Sequence, residues 1–163
     1  MTVTGVVYSW GSGEFGRLGY KAIKKQQRIP KKIDIPHKIV KLSLGMYHVG
    51  GLTYEGKIVT WGAGMSGQLG RGKVVNESGV ELVENLENEE SFVDVACGEK
   101  HTIVLSEKGD LYGFGCNRFG QLGIGSQYKG ALKPKKIFSG ISNNIQEIGK
   151  IVNIESGLYH NLC

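Results

Sequence analysis

The feature that most limits how this chain can fold is an internal repeat with a period of about 50 residues. Segments 10–19, 61–70 and 114–123 each begin with an aromatic residue followed by glycine, and each ends in Leu-Gly. A second motif, Gly-x-x-His, recurs in the same phase at 45–48, 98–101 and 157–160. Such a repeat predicts a stack of similar units, because one unit alone is too small to bury its hydrophobic face.

Each repeat contains short runs that are typical of β-strands. Residues 39–44 and 92–97 alternate apolar with polar side chains, which predicts a first strand, and 151–156 takes the equivalent place. A second and a third strand follow across a hairpin that turns at Gly56 or Gly109, because glycine readily adopts the positive φ of tight turns. The predicted second strands are 48–53 and 101–106, and the predicted third strands are 6–10, 58–61 and 111–114.

A weaker fourth strand is predicted in each repeat, at 31–35, 80–86 and 135–138. Pro30 and Pro134 introduce two of these strands. Proline has no N–H to donate to a neighbouring strand, so it favours the outer edge of a sheet. Four antiparallel strands per repeat are therefore expected, with the fourth at the edge.

Glycine content agrees with this all-β interpretation. The chain has 26 glycines in 163 residues, far above the usual share of about 7%. They recur beside Trp, Leu and Val instead of clustering with Ser and Pro, which indicates a protein with many turns and not a flexible linker.

Together the two motifs resemble the repeats of the regulator of chromosome condensation family, and the resemblance spans essentially the whole chain. It implies β-propeller blades of four antiparallel strands, of which roughly seven close a ring in that family. This chain has about three blades' worth, which we expect to form one propeller segment over 1–163. Its predicted parts are a partial repeat at 1–38, repeats at 39–91 and 92–150, and a partial repeat at 151–163.

The ring is expected to be incomplete. The chain begins in a third strand and ends in a second one, and propellers normally close with about 4–8 blades. Further sequence, another copy of the chain or a different subunit would have to complete it.

Two segments match the dinucleotide-binding pattern GxGxxG, at 11–16 and 62–67. That site needs a helix directly after the glycines, and a polar loop follows here instead. We interpret both segments as structural turns. Gly13, Gly64 and Asn117 share one position within them, and we predict a positive φ there because glycine and asparagine tolerate it best.

The recurring histidines and aromatic residues are also interpreted as structural. His48, His101 and His160 fall one per repeat, which places them on different sheets and favours hydrogen bonds to buried polar groups over a metal site or catalysis. The aromatic residues that open each segment are expected to pack between blades; they are Trp10, Trp61 and Phe114.

No catalytic residue, cofactor site or metal site is predicted, and the chain is not expected to be an enzyme. Cys97, Cys116 and Cys163 are odd in number and form no CxxC pair, which fits reduced thiols. No apolar stretch is long enough to span a membrane, and no secretory leader is present. These features predict an intracellular protein, in the cytoplasm or the nucleus.

Charge is unevenly distributed. Segment 17–41 is strongly basic, whereas the corresponding part of the next repeat carries six glutamates between residues 77 and 90. A charged segment is usually only exposed to solvent. The basic segment 17–41, however, also suits the binding of an acidic partner. The candidate partner-binding residues are Lys21, Lys24, Lys25, Arg28, Lys31 and Lys32.

Repeats without a catalytic constellation favour a protein-interaction scaffold, with protein partners bound by variable loops. The resemblance also implies a first alternative, guanine-nucleotide exchange on a small GTPase. The basic segment 17–41 suggests a second, binding to chromatin or nucleic acid.

Overall fold

The computed structural model describes residues 1–21, 26–84, 86, 91–138 and 150–163. Over these ranges the regular structure is β-strand, apart from one 3-10 turn at Glu14–Gly16. The strands are β1 (Tyr8–Ser12), β2 (Gln26–Lys32), β3 (Ile39–Leu44), β4 (His48–Thr53), β5 (Ile58–Gly62), β6 (Glu77–Leu82), β7 (Phe92–Cys97), β8 (His101–Ser106), β9 (Leu111–Cys116), β10 (Gly130–Phe138), β11 (Glu155–Ser156) and β12 (Asn161–Leu162).

Two sheets have four strands each. Sheet I has the order β3-β4-β5-β6, sheet II has the order β7-β8-β9-β10, and neighbouring strands are antiparallel. Two shorter sheets flank them, which we call the N-terminal pair (β1-β2) and the C-terminal pair (β11-β12). Within the described residues, the predicted four-stranded blade is therefore present twice.

The fourth strand of each unit is a bulged outer strand. In sheet II, Ala131 pairs with Gly115 and Lys135 pairs with Gly113, so the outer strand has extra residues at this point. Pro134 lies within that bulge, and Pro30 lies within the equivalent bulge of β2. Both prolines are on an outer edge, as predicted, where the missing N–H disrupts no ladder.

The bulges explain why the bounds of the outer strands differ from the bounds predicted from the sequence. The observed strands run earlier, at Gln26–Lys32, Glu77–Leu82 and Gly130–Phe138, because pairing already begins opposite the end of the third strand. The predicted first strand at 151–156 is reduced to Glu155–Ser156. There the backbone N–H of Ile154 donates to Asp94 of sheet II, 3.4 Å away, instead of to a neighbouring strand.

The hydrophobic core lies between successive sheets. Leu52 and Ile58 of sheet I pack with Val95, Tyr112 and Phe114 of sheet II in one buried cluster. A similar cluster joins the N-terminal pair to sheet I, and a third joins sheet II to the segment before the C-terminal pair. Each unit therefore depends on its neighbours for its buried faces, as the repeat predicted.

The prediction of a positive φ at Gly13, Gly64 and Asn117 is wrong. Gly13 has a φ of −94°, and neither Gly64 nor Asn117 has a positive value. Asn117 is instead held by side-chain hydrogen bonds, donating to the Tyr128 carbonyl at 2.8 Å and accepting from the Leu122 N–H at 2.9 Å. Positive φ occurs at other glycines of the repeat, which include Gly11, Gly62 and Gly115 at the end of each third strand and Gly16, Gly67 and Gly120 in the turn that follows.

Candidate interaction surface

In sheets I and II, two loops of the unit emerge at the same end of the sheet. His48 begins β4 and pairs with Gly62 at the end of β5, so the turn before β4 adjoins the loop after β5. The N–H of Ala63 donates to the Tyr47 carbonyl at 2.9 Å and fixes the two loops together. In sheet II the N–H of Cys116 donates to the Lys100 carbonyl at 2.8 Å in the same way.

The Gly-x-x-His motif positions the turn before the second strand. A side chain at Gly98 would collide with the imidazole of His101 and would lie 2.7 Å from the Gly157 carbonyl. Gly45 faces His48 in the same manner. The motif needs glycine for space, because φ is not positive at either position.

The buried histidines connect successive units. His48 Nε2 lies 2.8 Å from the hydroxyl of Thr102, and that hydroxyl donates to the Gln68 carbonyl at 2.9 Å. Since a hydroxyl has only one proton to donate, His48 must donate its Nε2–H to Thr102. Burial, and then the nearby His101, lower the pKa of His48 to about 3, so the ring is neutral at physiological pH.

The next unit repeats this connection. His101 Nε2 lies 2.8 Å from Asn161 Oδ1, and burial lowers the pKa of His101. These two histidines therefore have the predicted structural role, and each ties its own unit to the next through a side-chain hydrogen bond. His160 differs, because its side chain is exposed.

Aromatic and charged side chains on these loops form a continuous surface, which we call the rim surface. The Phe15 ring meets the Tyr47 ring edge-on at 5.7 Å, and the Phe119 and Tyr159 rings lie 4.8 Å apart. Lys100 lies between these pairs, 6.0 Å from the Tyr47 ring centroid. The rim surface consists of Phe15, Arg17, Met46, Tyr47, Glu99, Lys100, Phe119, Leu158 and Tyr159.

Charge pairs hold the middle of the rim surface. Lys100 Nζ lies 2.8 Å from Glu99, and the hydrogen bond from Lys100, followed by that from Tyr159, lowers the pKa of Glu99. The same carboxylate raises the pKa of Tyr159. The backbone N–H of Glu99 also donates to the Leu158 carbonyl at 3.1 Å, so the loops of two units are connected.

Phe15 has an unusual backbone conformation. Its φ is 58° and its ψ is 14°, and it is the one non-glycine residue with positive φ in the described part of the chain. This region is unfavourable for a bulky side chain and typically occurs at functional sites. The conformation places the ring on the surface, where it packs against Tyr47.

The candidate basic residues are exposed wherever the structure describes them. Arg28, Lys31 and Lys32 lie on the outer strand β2, and Lys21 lies just before it. Lys31 also packs over the Tyr20 ring at 4.4 Å. Lys24 and Lys25 lie outside the described residues. Lys41, at the end of the basic segment, instead pairs with Asp94 of sheet II at 2.5 Å.

The glutamate-rich segment 77–90 is partly neutralised by basic side chains of the same unit. Arg71 pairs with Glu81, and Lys73 pairs with Glu77 at 3.4 Å. Glu87, Glu89 and Glu90 lie outside the described residues. A second outer strand, β10, is also basic. The sequence predicted this strand, and its Lys-Pro-Lys-Lys at 133–136 could have predicted the charge as well.

The aromatic residues that open each segment do not share one environment. Trp61 and Phe114 are buried between units, as predicted, and the Trp61 indole donates to the Arg17 carbonyl at 3.0 Å. The prediction is wrong for Trp10, which is exposed on β1 because that edge has no neighbouring strand in the described ranges.

The described ranges contain no group of three or more His, Cys, Asp or Glu side chains placed to hold a metal ion. All three cysteines are free, and burial raises the pKa of Cys97 to about 11. Across the same ranges, no helix has the length and apolar character needed to cross a membrane.

Comparison with protein families gives one consistent result. The family model described as "Regulator of chromosome condensation (RCC1) repeat" matches residues 4–52, 55–105 and 108–163, and a second model of the same description matches residues 92–121. These matches cover well over half of the chain.

Relatives and solved structures agree. The ultraviolet-B receptor UVR8 of Arabidopsis thaliana is 36% identical over 82% of this chain, and the regulator of chromosome condensation of Homo sapiens is 32% identical over 76%. The chain spans only 30% of the length of each. The structure of Kap60 bound to yeast RCC1 (Prp20) contains a chain that is 25% identical, with a TM-score of 0.78 over 96% of this chain and 37% of that one. The predicted all-β propeller fold is thereby confirmed.

Proposed function

Because this chain belongs to the regulator of chromosome condensation repeat family, we propose that it is a protein-interaction scaffold that binds a partner protein through the rim surface and catalyses no reaction. One observation supports this most strongly. Aromatic side chains from successive units pack in two pairs, Phe15 with Tyr47 and Phe119 with Tyr159, and the ion pair of Lys100 with Glu99 lies between them.

The composition of the rim surface suits protein recognition. Aromatic residues, methionine and arginine are enriched at protein interfaces, and contiguous exposed apolar patches mark interaction sites. The positive φ at Phe15 places its ring against Tyr47 and leaves about half of the residue exposed, where it is accessible to a partner. The blades beneath supply a rigid base, while the loops supply the contacts.

The test compares partners recovered by affinity purification and quantitative mass spectrometry. The rim variant carries Met46→Ser and Leu158→Ser, both at exposed positions. The matched control carries Tyr54→Ser and Val93→Ser, which are also exposed but lie toward the opposite end of the sheets. The rim variant should lose the partners that the wild type and the control retain. Identical partner sets from all three proteins would refute the role of the rim surface.

A second candidate function is binding to nucleic acid through β2. It is favoured by the exposure of Arg28, Lys31 and Lys32 along one outer strand. A phosphate-driven complex should lose much of its affinity between about 50 and 200 mM salt. Arg28→Ala with Lys32→Ala should weaken binding to duplex DNA, whereas Lys57→Ala with Lys108→Ala, in the two hairpins, should not. Binding unaffected by salt or by either variant would exclude this function.

Guanine-nucleotide exchange on a small GTPase remains the other alternative. Its support is the family alone, since no described residue is assigned to it. Release of a fluorescent guanine nucleotide from a purified small GTPase, with and without the chain, tests it directly. An unchanged release rate would exclude exchange on that GTPase. Each of these functions fits a location inside the cell, in the cytoplasm or the nucleus.

A further inference from the structure

We propose that the rim surface binds acidic segments of a partner protein, and that the Arg17 guanidinium, held beside the rings of Phe15 and Tyr47, receives a carboxylate of that partner. The site rests on the proposed scaffold function, which it deepens by giving the chemistry of the partner. Its basis is one position at which the first rim loop departs from the two loops that follow it along the chain.

A buried glutamine closes the loop after β5 in sheet I and the loop after β9 in sheet II. Gln68 Oε1 accepts from the Ser66 N–H at 2.8 Å, and Gln121 Oε1 accepts from the Phe119 N–H at 2.9 Å. Arg17 takes the equivalent position in the loop after β1, two residues before the terminal glycine of the segment. Because a guanidinium has donors but no acceptor, Arg17 cannot close its loop in this way.

The loop after β1 differs from the other two at Phe15. This residue is the equivalent of Ser66 and Phe119, and of the three it alone has a positive φ. The turn beneath it is retained, because the N–H of Gly16 donates to the Gly13 carbonyl at 3.3 Å, as the equivalent glycines do in the other loops. Arginine at this position is therefore accommodated without loss of the turn, and its side chain lies on the rim surface instead of inside the loop.

Backbone carbonyls hold the Arg17 guanidinium in place. Its Nε donates to the Glu14 carbonyl at 3.0 Å, and its Nη1 donates to the Met46 carbonyl at 3.3 Å. Its central carbon lies 5.7 Å from the Phe15 ring centroid and 5.3 Å from the Tyr47 ring centroid. A guanidinium has five N–H donors, so donors remain for a ligand after these two bonds. The group is oriented before a partner arrives, which lowers the entropic cost of binding.

The two charge pairs of the rim surface differ in how tightly they are closed. Lys100 Nζ lies 2.8 Å from Glu99, whose side chain is only 11% exposed. Arg17 Nη2 lies 3.8 Å from the Glu14 carboxylate, which is beyond hydrogen-bond distance, and the Glu14 side chain is 56% exposed. Glu14 is therefore a loosely held carboxylate of the chain itself, and a carboxylate of a partner can replace it.

The balance of charge around Arg17 favours a carboxylate over a phosphate. Glu14 and Glu99 offset Arg17 and Lys100, so these pairs leave little excess positive charge. A phosphoryl group carries about two negative charges at neutral pH, and nucleic acid carries one on every phosphate, so both need an excess of cations. A single carboxylate needs only the two parallel N–H bonds that one guanidinium can donate.

Apolar side chains surround this charge, so the acidic residue of the partner should have an apolar neighbour. Phe15, Met46 and Leu158 are all exposed on the rim surface. Aromatic rings beside a guanidinium exclude water, and an ion pair is stronger where water is excluded. A segment in which acidic and apolar residues alternate therefore fits the site.

The test uses three fluorescein-labelled peptides and the whole 163-residue chain. The first peptide is Gly-Glu-Leu-Glu-Ser-Gly, the second has glutamine in both glutamate positions, and the third has phosphoserine there. Fluorescence anisotropy at about 0.1 M salt measures binding up to about 1 mM chain. The glutamate peptide should bind more tightly than the other two. Failure of the glutamate peptide to bind, or equal or tighter binding of either other peptide, would overturn the proposal.

Arg17→Gln is the decisive variant, because glutamine occupies this position in the other two loops. Its Oε1 can accept the Phe15 N–H, as Gln68 and Gln121 accept in their own loops, so the melting temperature should stay the same or rise. Affinity for the glutamate peptide should fall about tenfold or more, as expected for loss of a hydrogen bond between charged groups. Glu14→Gln should strengthen binding, because it removes the competing carboxylate.

Two further variants separate the guanidinium from simple charge. Arg17→Lys should also weaken binding, because an ammonium cannot form two parallel bonds to a carboxylate. Arg118→Gln is the matched control, since Arg118 is exposed on the loop after β9 and the variant loses the same charge. It should change the affinity by less than about twofold. Equal losses in Arg17→Gln and Arg118→Gln would overturn the site.

Affinity purification distinguishes this site from the scaffold function. Partners that the rim variant loses but Arg17→Gln retains would support the scaffold function and overturn the acid-binding site. Retention of every partner by the rim variant, together with a peptide complex that depends on Arg17, would refute the scaffold function and support the site.

Discussion

At the scale of single residues, two kinds of glycine perform different tasks in this repeat. Gly45 and Gly98 leave room for a buried imidazole, and their own backbone conformation is ordinary. Gly16 and Gly67 have positive φ and also touch the outer strand of the next unit. Any side chain would disturb the first kind by volume and the second kind by both volume and conformation.

Gly67 and Gly120 allow these two effects to be separated. Both have positive φ, 84° and 77°, but only Gly67 has the backbone of a neighbouring strand within contact distance. Gly120→Val should cost about 1–2 kcal/mol from backbone strain alone. Gly67→Val should cost clearly more, because it also pushes β10 away. Urea unfolding of both variants measures this difference, and equal losses would mean that the contact at Gly67 is unimportant.

His48 should make stability depend on pH. Its pKa is about 3 in the folded chain, against 6.5 for the free side chain. Between these values the unfolded chain binds a proton that the folded chain does not, so stability is complete above about pH 6.5 and falls as pH decreases. The loss should be roughly 2 kcal/mol at pH 5.

Thermal unfolding between pH 7.5 and pH 5 checks this prediction. His48→Gln should begin with a lower melting temperature but decline less steeply, because glutamine does not titrate. Parallel curves for the wild type and the variant would show that other groups cause the pH dependence.

At the scale of secondary-structure elements, the inner and outer strands have different constraints. Every residue of β4 and β8 is buried, whereas β2 is almost entirely exposed. The inner strands are held from both sides by pairing and packing. The outer strands vary in charge, because β2 and β10 are basic and β6 is acidic. One unit can therefore differ from the next in its outer strand without loss of the fold.

The link between sheets I and II can be tested at Thr102. Its buried hydroxyl accepts from His48 and donates to the Gln68 carbonyl. Thr102→Val keeps the shape but leaves two buried polar groups without this partner, so it should lower the free energy of unfolding by about 1–3 kcal/mol. Thr4→Val, at an exposed position, is the control and should have little effect. A loss below about 0.5 kcal/mol at Thr102 would contradict the proposed tie.

At the scale of the whole molecule, stability should be greatest in the middle of the chain. Sheets I and II have neighbours on both sides, whereas the N-terminal and C-terminal pairs each meet only one sheet in the described ranges. Repeat proteins gain much of their stability from contacts between adjacent units. Amide hydrogen exchange should therefore be slowest in β4, β5, β8 and β9, and fast in β11 and β12. Uniform protection along the chain would contradict the expected gradient.

The sequence by itself determined the units of this fold. The phase of the aromatic-Gly and Gly-x-x-His motifs predicted strands β3, β4, β7 and β8 at their observed bounds, because period-two alternation and hairpin glycines act locally. It also predicted the outer-edge prolines, the buried Trp61 and Phe114, and the structural use of His48 and His101. The strand bounds depend on side chains that are adjacent along the strand or in the next turn, and the repeat itself indicated that the aromatic residues and histidines would meet a neighbouring unit.

Only the tertiary structure decided how the units meet. The rim surface unites Phe15, Tyr47, Lys100 and Tyr159, which are far apart in the sequence and come together only when successive sheets pack side by side. The exposure of Trp10 follows from the same cause, since burial there depends on a strand from another unit. Repetition specifies each blade locally, whereas contacts between blades depend on which neighbour is present.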